Sequence, residues 1–297
     1  MIQPISTRHQ PVAKPLGIIA GGGPIPLMLA EQCLAQERPC FIAAITGAAS
    51  ADIARFPHQW IGIGAVGGLM RALRRHHCED VVFIGTVRRP ELRHLRLDWG
   101  GLQFLPRYAR AALGGDDQLL RALVNEFERH GFKVVGVHEV LADISAPQGV
   151  LGMVQPGSDD QADIARALEV ARQIGAMDIG QAVVVCGGVV LAVEAAEGTD
   201  AMLTRCAQLP LGLRASPETN GGKRRGVLLK LPKPGQERRI DLPAIGMTTL
   251  RLAAAAGLAG IVFEAGGALL VEVPAMIREA DARGMFLLGL NGAGENS

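Results

Sequence analysis

The sequence has few aromatic residues, little net charge and no apolar run long enough to span a membrane. Aromatic side chains make up 4% of the residues, and the formal net charge at pH 7 is +1. Proteins that bind a nucleic-acid backbone carry an excess of basic residues, so this balance argues against a nucleic-acid partner. The longest apolar run, residues 252–263, contains Gly257 and Gly260 and is too short to cross a bilayer. We therefore expect neither nucleic-acid binding nor a transmembrane segment.

Cysteine and the features of a signal peptide are also scarce. The five cysteines are odd in number, widely spaced and never arranged as C-x-x-C. This pattern is typical of a reducing compartment and argues against a zinc knuckle. Residues 1–15 are polar and contain prolines, without the apolar segment that a signal peptide requires. The sequence therefore predicts a cytoplasmic protein.

Histidine is absent from the second half of the chain. All seven histidines lie at or before His138. A Walker P-loop, a G-x-S-x-G elbow and an H-E-x-x-H helix are missing as well. Chemistry in the second half must therefore depend on carboxylates, lysine or a metal ion.

Glycine and short apolar segments are abundant. The 297 residues include 38 glycines and are 48% apolar, which is the usage of an α/β protein with room for two cores. Strand patterns alternate with helical patterns, and this alternation predicts a parallel sheet with helices on both faces. In the first half the strand patterns lie at residues 16–20, 41–46, 61–64, 81–84 and 133–137, and the helical patterns at 26–35, 66–77 and 118–130.

We predict an α/β protein with two domains. Residues 1–141 have the strand and helix order of a Rossmann-like domain. Residues 142–157 contain two prolines and three glycines and are interpreted as a linker. Residues 158–297 begin with a periodic helix and continue through further strand and helix patterns, so they predict a second α/β domain.

A run of glycines follows the first strand pattern. Residues 16–20 lead directly into Gly21, Gly22 and Gly23, and a helix pattern follows. Backbone amides in such a turn bind a phosphate or a sugar, although a tight strand-to-helix turn without a ligand has the same pattern. The dinucleotide fingerprint would need glycine where Pro26 stands, so a nicotinamide cofactor is disfavoured.

Two further groups lie at predicted strand ends or helix starts of the first domain. Gly85, Thr86 and Arg89 follow the strand pattern at 81–84. Ligands in parallel sheets bind beyond the carboxyl ends of the strands, so these residues are candidates for substrate binding. Asp116 and Asp117 open a helix, where one is expected to cap it and the other is a candidate contact.

Basic and aromatic residues are mixed in residues 88–110. The segment contains six arginines together with Trp99 and Phe104. Such a mixture suits an anionic lipid interface, although an ordinary surface helix and loop would have the same composition.

An acidic junction follows a long strand pattern of the second half. Glu194, Glu197 and Asp200 provide three carboxylates, and Thr199 adds a hydroxyl. Hard oxygen ligands of this kind suit a divalent cation. An alternative is that Thr199 or Asp200 caps the next helix.

Residues 226–246 concentrate basic side chains beside a carboxylate. Three prolines restrict this segment, so we expect a stiff loop rather than a mobile one. Cations beside an aspartate are the groups required for diphosphate hydrolysis with Mg²⁺, whereas a solvated turn has a similar pattern. The candidate side chains are Lys230, Lys233, Gln236, Arg239 and Asp241.

Four motifs together resemble one known family. They are IAGGGPIP at 19–26, GDD at 115–117, VLAVEAAEGTDAML at 190–203 and KLPKPGQERRIDLPAIG at 230–246. The sequence is similar over residues 16–290 to the bacterial UDP-2,3-diacylglucosamine diphosphatases of lipid A synthesis, the type unrelated to calcineurin-like phosphoesterases.

The resemblance implies an activity, a cofactor and a cellular location. It implies Mg²⁺-dependent hydrolysis of UDP-2,3-diacylglucosamine to 2,3-diacylglucosamine 1-phosphate and UMP, with the lipid held between two domains. It also implies peripheral contact with the cytoplasmic face of the inner membrane, and we infer that residues 88–110 contribute to it, with Trp99 and Phe104 as the expected lipid contacts. The oligomeric state stays open.

The resemblance also assigns roles, and it makes residues 158–297 the catalytic domain. Asp241 matches the aspartate whose loss inactivates these enzymes, so we expect it to bind or orient Mg²⁺ and the attacking water, with Glu194 as a second candidate metal ligand. Lys230, Lys233 and Arg239 are expected at the diphosphate. The further candidate substrate-binding residues are Gly22, Gly23, Gly85, Thr86, Arg89, Asp116, Asp117, Thr199, Asp200 and Gln236.

Two alternatives come from other functional classes. One is a non-catalytic binding or regulatory module whose first domain senses a nucleotide-sugar, and the other, weaker one is a Rossmann oxidoreductase. Release of UMP from the nucleotide-sugar would separate an enzyme from a binding module, and binding of NAD(P)H would identify an oxidoreductase.

Overall fold

The computed structural model describes residues 14–87, 97–112, 116–214 and 221–292. The chain divides into two compact units, Met1–Val140 and Leu141–Ser297. Arg89 lies outside the described residues, and so do residues 88–96 of the basic and aromatic segment. Both units combine strands with helices, which confirms the predicted α/β class.

The first unit is built on a parallel sheet of five strands in the order β3-β2-β1-β4-β5. Every residue of the central strand β1 is buried, because helices cover both faces of a sheet of this kind. The strands are β1 (Leu16–Ala20), β2 (Cys40–Ile45), β3 (His58–Ile61), β4 (Asp80–Ile84) and β5 (Lys133–Val134). The helices are α1 (Ile25–Ala35), α2 (Val66–Arg75), α3 (Trp99–Ala112), α4 (Asp116–Arg129) and α5 (Val137–Val140), with a 3₁₀ turn at Ala51–Arg55.

The strand order reverses between β1 and β4. The chain moves outward from β1 to β3 and then returns to the other side of β1 as β4. The loops that follow β1 and β4 are therefore neighbours at the carboxyl edge of the sheet, which is where Rossmann-like folds bind ligands. The Rossmann-like prediction for this unit is confirmed.

One aspartate joins two helices of the first unit. The Asp98 carboxylate accepts hydrogen bonds from the amides of Gly67 and Gly68 in α2 and of Gly101 in α3, at 3.2, 2.6 and 2.8 Å. Burial raises the pKa of Asp98, but these amides and the Arg71 guanidinium outweigh it, so the pKa lies below the ordinary aspartate value. Ionised Asp98 therefore stabilises the folded unit above about pH 4, and this contribution is lost as the pH falls through the folded pKa.

The second unit is built on a mixed sheet of six strands in the order β6-β13-β11-β9-β7-β8. Strands β9, β11 and β13 are parallel to one another, whereas β6 and β7 run antiparallel to their neighbours and β8 runs antiparallel to β7. These strands are β6 (Gly149–Leu151), β7 (Ala182–Cys186), β8 (Val189–Val193), β9 (Val227–Lys230), β11 (Gly260–Glu264) and β13 (Phe286–Leu290). A separate pair, β10 (Ala244–Ile245) and β12 (Leu269–Leu270), is parallel.

Helices cover both faces of the second sheet. Helix α6 (Ser158–Ala176) packs on one face, and its Ile164, Ala167 and Ala171 join a core with Val183, Leu229 and other residues of β7, β9 and β13. On the other face lie α7 (Thr199–Ala207), α8 (Met247–Ala255) and α9 (Val273–Ala282), around a second apolar core. Strand β9 is buried on both faces as a result.

The glycine pair of the second unit forms the turn of a hairpin. Gly187 and Gly188 connect β7 to β8 and have φ angles of 59° and 77°, which glycine adopts without strain. The buried Asp163 carboxylate of α6 accepts a hydrogen bond from each of their amides, at 2.9 and 2.7 Å. The turn is thereby fixed against helix α6.

Residues 142–157, which the sequence predicts as a linker, contain regular structure. Ala142–Ile144 form a 3₁₀ turn, and Gly149–Leu151 form the edge strand β6 of the second sheet. Among the described helices, none combines the length and the apolarity needed to cross a bilayer.

Candidate active site

The carboxyl ends of β8 and β9 lie at one edge of the second sheet. Both strands run antiparallel to β7, so their ends point in the same direction. Glu194 follows β8, and Lys230 is the last residue of β9. The sequence 226–246 therefore places a buried apolar strand directly before the charged loop, and the strand fixes the position of the first lysine.

Lys230 is a buried lysine on whose charge three carboxylates act. The residue is 6% exposed, and its Nζ donates a hydrogen bond to the Ala244 carbonyl at 3.1 Å. Burial lowers the pKa of Lys230, and the negative charges of Glu194, Asp200 and Asp241 raise it again without restoring the ordinary value. We call Lys230 with these three carboxylates the Lys230 cluster.

Hydroxyl groups hold two of the carboxylates of the Lys230 cluster. The Thr199 hydroxyl donates to Glu194 Oε1 at 2.9 Å, and the backbone N–H of Gln181 donates to Glu194 Oε2 at 3.3 Å. The Thr249 hydroxyl donates to Asp200 Oδ1 at 3.3 Å. The last of these bonds links the first turns of α7 and α8, whose N-terminal partial charges favour anions.

The alternative in which Thr199 or Asp200 caps α7 is wrong. The N-cap residue is Gly198, which has a φ of 81°, and no side chain makes a cap hydrogen bond there. The Thr199 hydroxyl reaches back to Glu194 instead. Glycine takes the cap position because the positive φ is costly for other residues.

Asp241 is held by the loop that follows β9. Gln236 Nε2 donates a hydrogen bond to Asp241 Oδ2 at 2.5 Å, and the Asp241 amide donates to the Glu237 carbonyl at 3.0 Å. The amide of Lys233 donates to Gln236 Oε1 at 2.8 Å. The segment is thus ordered by its own hydrogen bonds, in addition to its prolines.

The other basic side chains of the loop also bind carboxylates. Lys233 Nζ donates to Asp178 Oδ1 at 2.6 Å. Arg239 donates from both Nε and Nη2 to the Glu237 carboxylate, at 2.8 Å each. A phosphate that binds either cation has to share it with these carboxylates, which also hold the cation in place.

The carboxylates of the site suit a magnesium ion that also binds phosphate oxygens, and not an ion held by protein groups alone. In the described parts of the chain, no group of three or more His, Cys, Asp or Glu residues is placed to hold a metal ion. Magnesium is commonly bound by one or two carboxylates together with substrate phosphates and water, so Asp241 and a neighbouring carboxylate of the Lys230 cluster are sufficient in kind. The positive charge of Lys230 opposes a cation bound without phosphate, because it offsets the nearby carboxylates.

The glycine run of the first unit packs against the loop after β4. Gly22 and Thr86 exchange two backbone hydrogen bonds, at 2.8 and 3.0 Å. A Cβ atom on Gly21 would lie 2.7 Å from the carbonyl oxygens of Gly85 and Thr86, and one on Gly85 would lie 2.5 Å from that of Gly22. These glycines are required because two backbones touch, a reason that the sequence prediction did not include.

The predicted ligand contacts of the first unit differ in whether their backbone is open to a ligand. The Gly22 amide is already bonded to the Thr86 carbonyl, so it does not point to a ligand. Gly23, with a φ of 93°, has open space where its Cβ would be. Asp116 is the first residue of α4, and Asp117 lies half-buried in the first turn of that helix.

Trp99 and Phe104, the two aromatic residues expected to contact lipid, differ in their exposure to solvent. Trp99 is 72% exposed at the start of α3, with Leu102 exposed one turn later. Phe104 is 5% exposed and belongs to the core of the first unit, so the expectation that it contacts lipid is wrong.

Some residues of the site were not found from the sequence. Thr249, Gln181 and Asp178 have no motif around them that indicates a site, and each lies at least 13 residues from its partner. Their roles depend on packing between elements, and only the fold reveals them.

The fold and the site define a class of protein: a two-unit α/β protein with a Rossmann-like sheet and a second sheet whose edge gathers a buried lysine and carboxylates. The family model of the LpxI N-terminal domain matches residues 15–144, and that of the LpxI C-terminal domain matches residues 147–288. The chain is 49% identical over 276 residues to UDP-2,3-diacylglucosamine pyrophosphatase LpxI of Caulobacter vibrioides, covering 93% of this chain and 97% of that protein. The chain belongs to the LpxI family.

Proposed function

We propose that this protein hydrolyses the diphosphate of UDP-2,3-diacylglucosamine in lipid A biosynthesis, releasing UMP and 2,3-diacylglucosamine 1-phosphate. The observation that carries the proposal is the Lys230 cluster, in which Asp241 is held by Gln236 beside a buried cation. The named activity of a relative 49% identical over nearly the whole chain supports the same reaction.

The chemistry requires cations at the diphosphate and an ordered water. The oxygen of water forms a bond to one phosphorus, the bond from the bridging oxygen to that phosphorus breaks, and a proton is released. Lys230, Lys233 and Arg239 are the proposed diphosphate contacts, since positive charge stabilises the charge that spreads over phosphoryl oxygens in the transition state. Asp241 is proposed to orient the attacking water, because a fixed carboxylate can accept a hydrogen bond from it.

Magnesium is part of the proposal. Asp241 would hold the ion together with phosphate oxygens, and Glu194 is the proposed second carboxylate. A bound magnesium ion supplies charge neutralisation at the phosphoryl oxygens. The Lys230 cluster supports this assignment because its carboxylates are hard oxygen donors at one sheet edge.

The remaining contacts are proposed for the other parts of the substrate. Thr199 and Asp200 lie in the first turn of α7 beside Glu194, where they would line the phosphate site. In the first unit, the loops after β1 and β4 lie at the edge where Rossmann-like sheets bind ligands. The proposed contacts there are Gly22, Gly23, Gly85, Thr86, Arg89, Asp116 and Asp117, with Gly22 contributing through atoms other than its amide.

The first test is release of UMP by the purified protein. With UDP-2,3-diacylglucosamine and Mg²⁺ we expect UMP and the sugar 1-phosphate in equal amounts, detected by chromatography, and loss of release with excess EDTA. Restoring Mg²⁺ should restore the activity. Tight binding of the nucleotide-sugar without release would favour the alternative of a non-catalytic binding module, and release that is insensitive to EDTA would exclude the magnesium assignment.

We also propose that the protein contacts the cytoplasmic face of the inner membrane peripherally through α3. Trp99 and Leu102 lie one turn apart on that helix and are both exposed. Large exposed apolar residues on one helix face suit the headgroup region of a bilayer.

Replacing both Trp99 and Leu102 with alanine is expected to weaken binding to vesicles of phosphatidylethanolamine and phosphatidylglycerol by roughly tenfold or more, because two apolar side chains no longer enter the interface. Co-sedimentation measures the effect. Leu34→Ala is the control, since Leu34 is as exposed as Trp99 but lies on α1. Equal binding by the double variant and the wild-type protein would refute the role of α3.

A further inference from the structure

Gln236 uses both ends of its side-chain amide inside the protein. The residue is 7% exposed. Its Oε1 accepts a hydrogen bond from the Lys233 amide at 2.8 Å, and its Nε2 donates to Asp241 Oδ2 at 2.5 Å. A backbone N–H can only donate, so the oxygen end of Gln236 must face Lys233 and the nitrogen end must face Asp241. The orientation of the amide is therefore fixed by its partners.

The sequence prediction treats Gln236 as a substrate contact, and the geometry points to a different role. We propose that Gln236 is a positioning residue that fixes the carboxylate of Asp241 for the reaction. The proposal rests on the proposed function, in which Asp241 is the catalytic group. It assigns Gln236 no direct contact with the diphosphate, because the residue is buried and both ends of its amide bind within the loop.

Two contacts from the same loop hold Asp241. The Asp241 amide donates to the Glu237 carbonyl at 3.0 Å, which fixes the backbone of this residue. An aspartate side chain can still rotate about its terminal bond, since that torsion is broad. The hydrogen bond from Gln236 to one carboxylate oxygen restricts this torsion, and it is a strong bond because the acceptor is charged.

Gln236 also closes the loop on itself. Lys233 and Asp241 bind opposite ends of the same buried amide. The backbone of Gln236 closes the same turn, because its N–H donates to the Lys233 carbonyl at 3.1 Å. The loop therefore presents Asp241 in one orientation before a ligand binds, and such preorganisation lowers the barrier of a reaction that needs an aligned water.

The test compares Gln236→Ala with Gln236→Glu. Glutamate keeps the volume and the oxygen that accepts from Lys233, but it replaces the donor with a negative charge facing Asp241. A positioning role predicts that kcat falls by about 10- to 100-fold in both variants, and in Gln236→Glu at least as much as in Gln236→Ala. KM should stay within about threefold of the wild-type value, because no substrate contact is lost. UMP affinity, measured by calorimetry, should be unchanged.

Other results would overturn the proposal. A rise in KM with an unchanged kcat would make Gln236 a substrate contact. A mild effect of Gln236→Glu together with a large effect of Gln236→Ala and a lower melting temperature would make it a packing residue. Gln161→Ala, in the exposed first turns of α6, is the control and should leave both parameters unchanged.

A separate measurement keeps this proposal distinct from the proposed function. The ¹³C carboxyl signal of Asp241, assigned by its loss in Asp241→Asn, should be a single sharp line in the wild-type protein. It should shift in Gln236→Ala, since the carboxylate loses the hydrogen bond from Gln236 Nε2. An unchanged signal in Gln236→Ala would refute the positioning role. Failure of the wild-type protein to release UMP would refute the proposed function instead.

Discussion

Replacement of Asp241 by asparagine is expected to lower kcat for UMP release by about 10²- to 10⁴-fold, which is the range for loss of a positioned acid–base group. Asparagine has the shape of aspartate, and its side-chain oxygen can still accept the hydrogen bond from Gln236 Nε2. The variant therefore removes the charge and leaves the loop in place. Asp241→Ala removes the hydrogen bond as well and is expected to be at least as inactive.

The reason for a large effect lies in the surroundings of Asp241. Its carboxylate is one of three that act on the buried Lys230, and it is the one on the loop after β9. No histidine can take over the role of Asp241, because the second half of the chain has none. The glutamate of the same loop, Glu237, is bound to Arg239.

Single-turnover release of UMP and a thermal unfolding curve together check this prediction. We expect the melting temperature of Asp241→Asn to change little, so that lost activity is not lost folding. Asp159→Asn is the matched control, because its side chain is 83% exposed in the first turn of α6. Near wild-type turnover in Asp241→Asn would remove this residue from the catalytic role and leave the Lys230 cluster without its assigned function.

Local signals in the sequence mark the segment that is the candidate site. An apolar strand pattern ends at Lys230, and restricted backbone with charges follows. Glu194 stands at the end of another strand pattern, and the carboxyl ends of β8 and β9 meet at one edge. Strand ends and charges can be recognised within a few residues of sequence, so these parts of the cluster were within reach of prediction.

The contacts within the site depend on partners that are far apart in sequence. Lys233 binds Asp178, which lies 55 residues away, and Thr249 binds Asp200, which lies 49 residues away. No periodicity links such positions, because their distance is set by how helices and strands pack. The sequence therefore predicted that Lys233 contacts phosphate but did not reveal the carboxylate that it already binds.

Helix phase explains the incorrect expectation for Phe104. Trp99 and Phe104 are five residues apart, which places them about 140° apart around a helix. Leu102 is three residues from Trp99 and only about 60° away, so these two share a face. Composition identified the basic and aromatic segment, but only the phase of α3 separates its exposed face, with Trp99, from its buried face, with Phe104.

Replacement of Lys230 by methionine is expected to destabilise the second unit by about 3–5 kcal/mol and to abolish UMP release, because breaking a buried charge cluster leaves the remaining charges uncompensated. Methionine fills a similar volume, so the loss of packing is small. The Ala244 carbonyl also loses its donor. Both tryptophans lie in the first unit, so unfolding must be followed by circular dichroism or by hydrogen exchange of the β9 amides rather than by tryptophan fluorescence.

A second variant separates the structural role of Lys230 from its proposed contact with the diphosphate. In Lys230→Met combined with Glu194→Gln, one of the uncompensated carboxylates is neutral and Thr199 can still donate to the amide oxygen. We expect this double variant to recover part of the lost stability, since removing both members of a buried charge pair costs less than removing one. UMP release should not recover, because the cation at the diphosphate is still missing and Glu194, the proposed second magnesium ligand, is neutral as well; Glu194→Gln alone measures the second contribution. If activity returned together with stability, Lys230 would act only by holding the fold, and the positive charge at the diphosphate would have to come from Lys233 or Arg239.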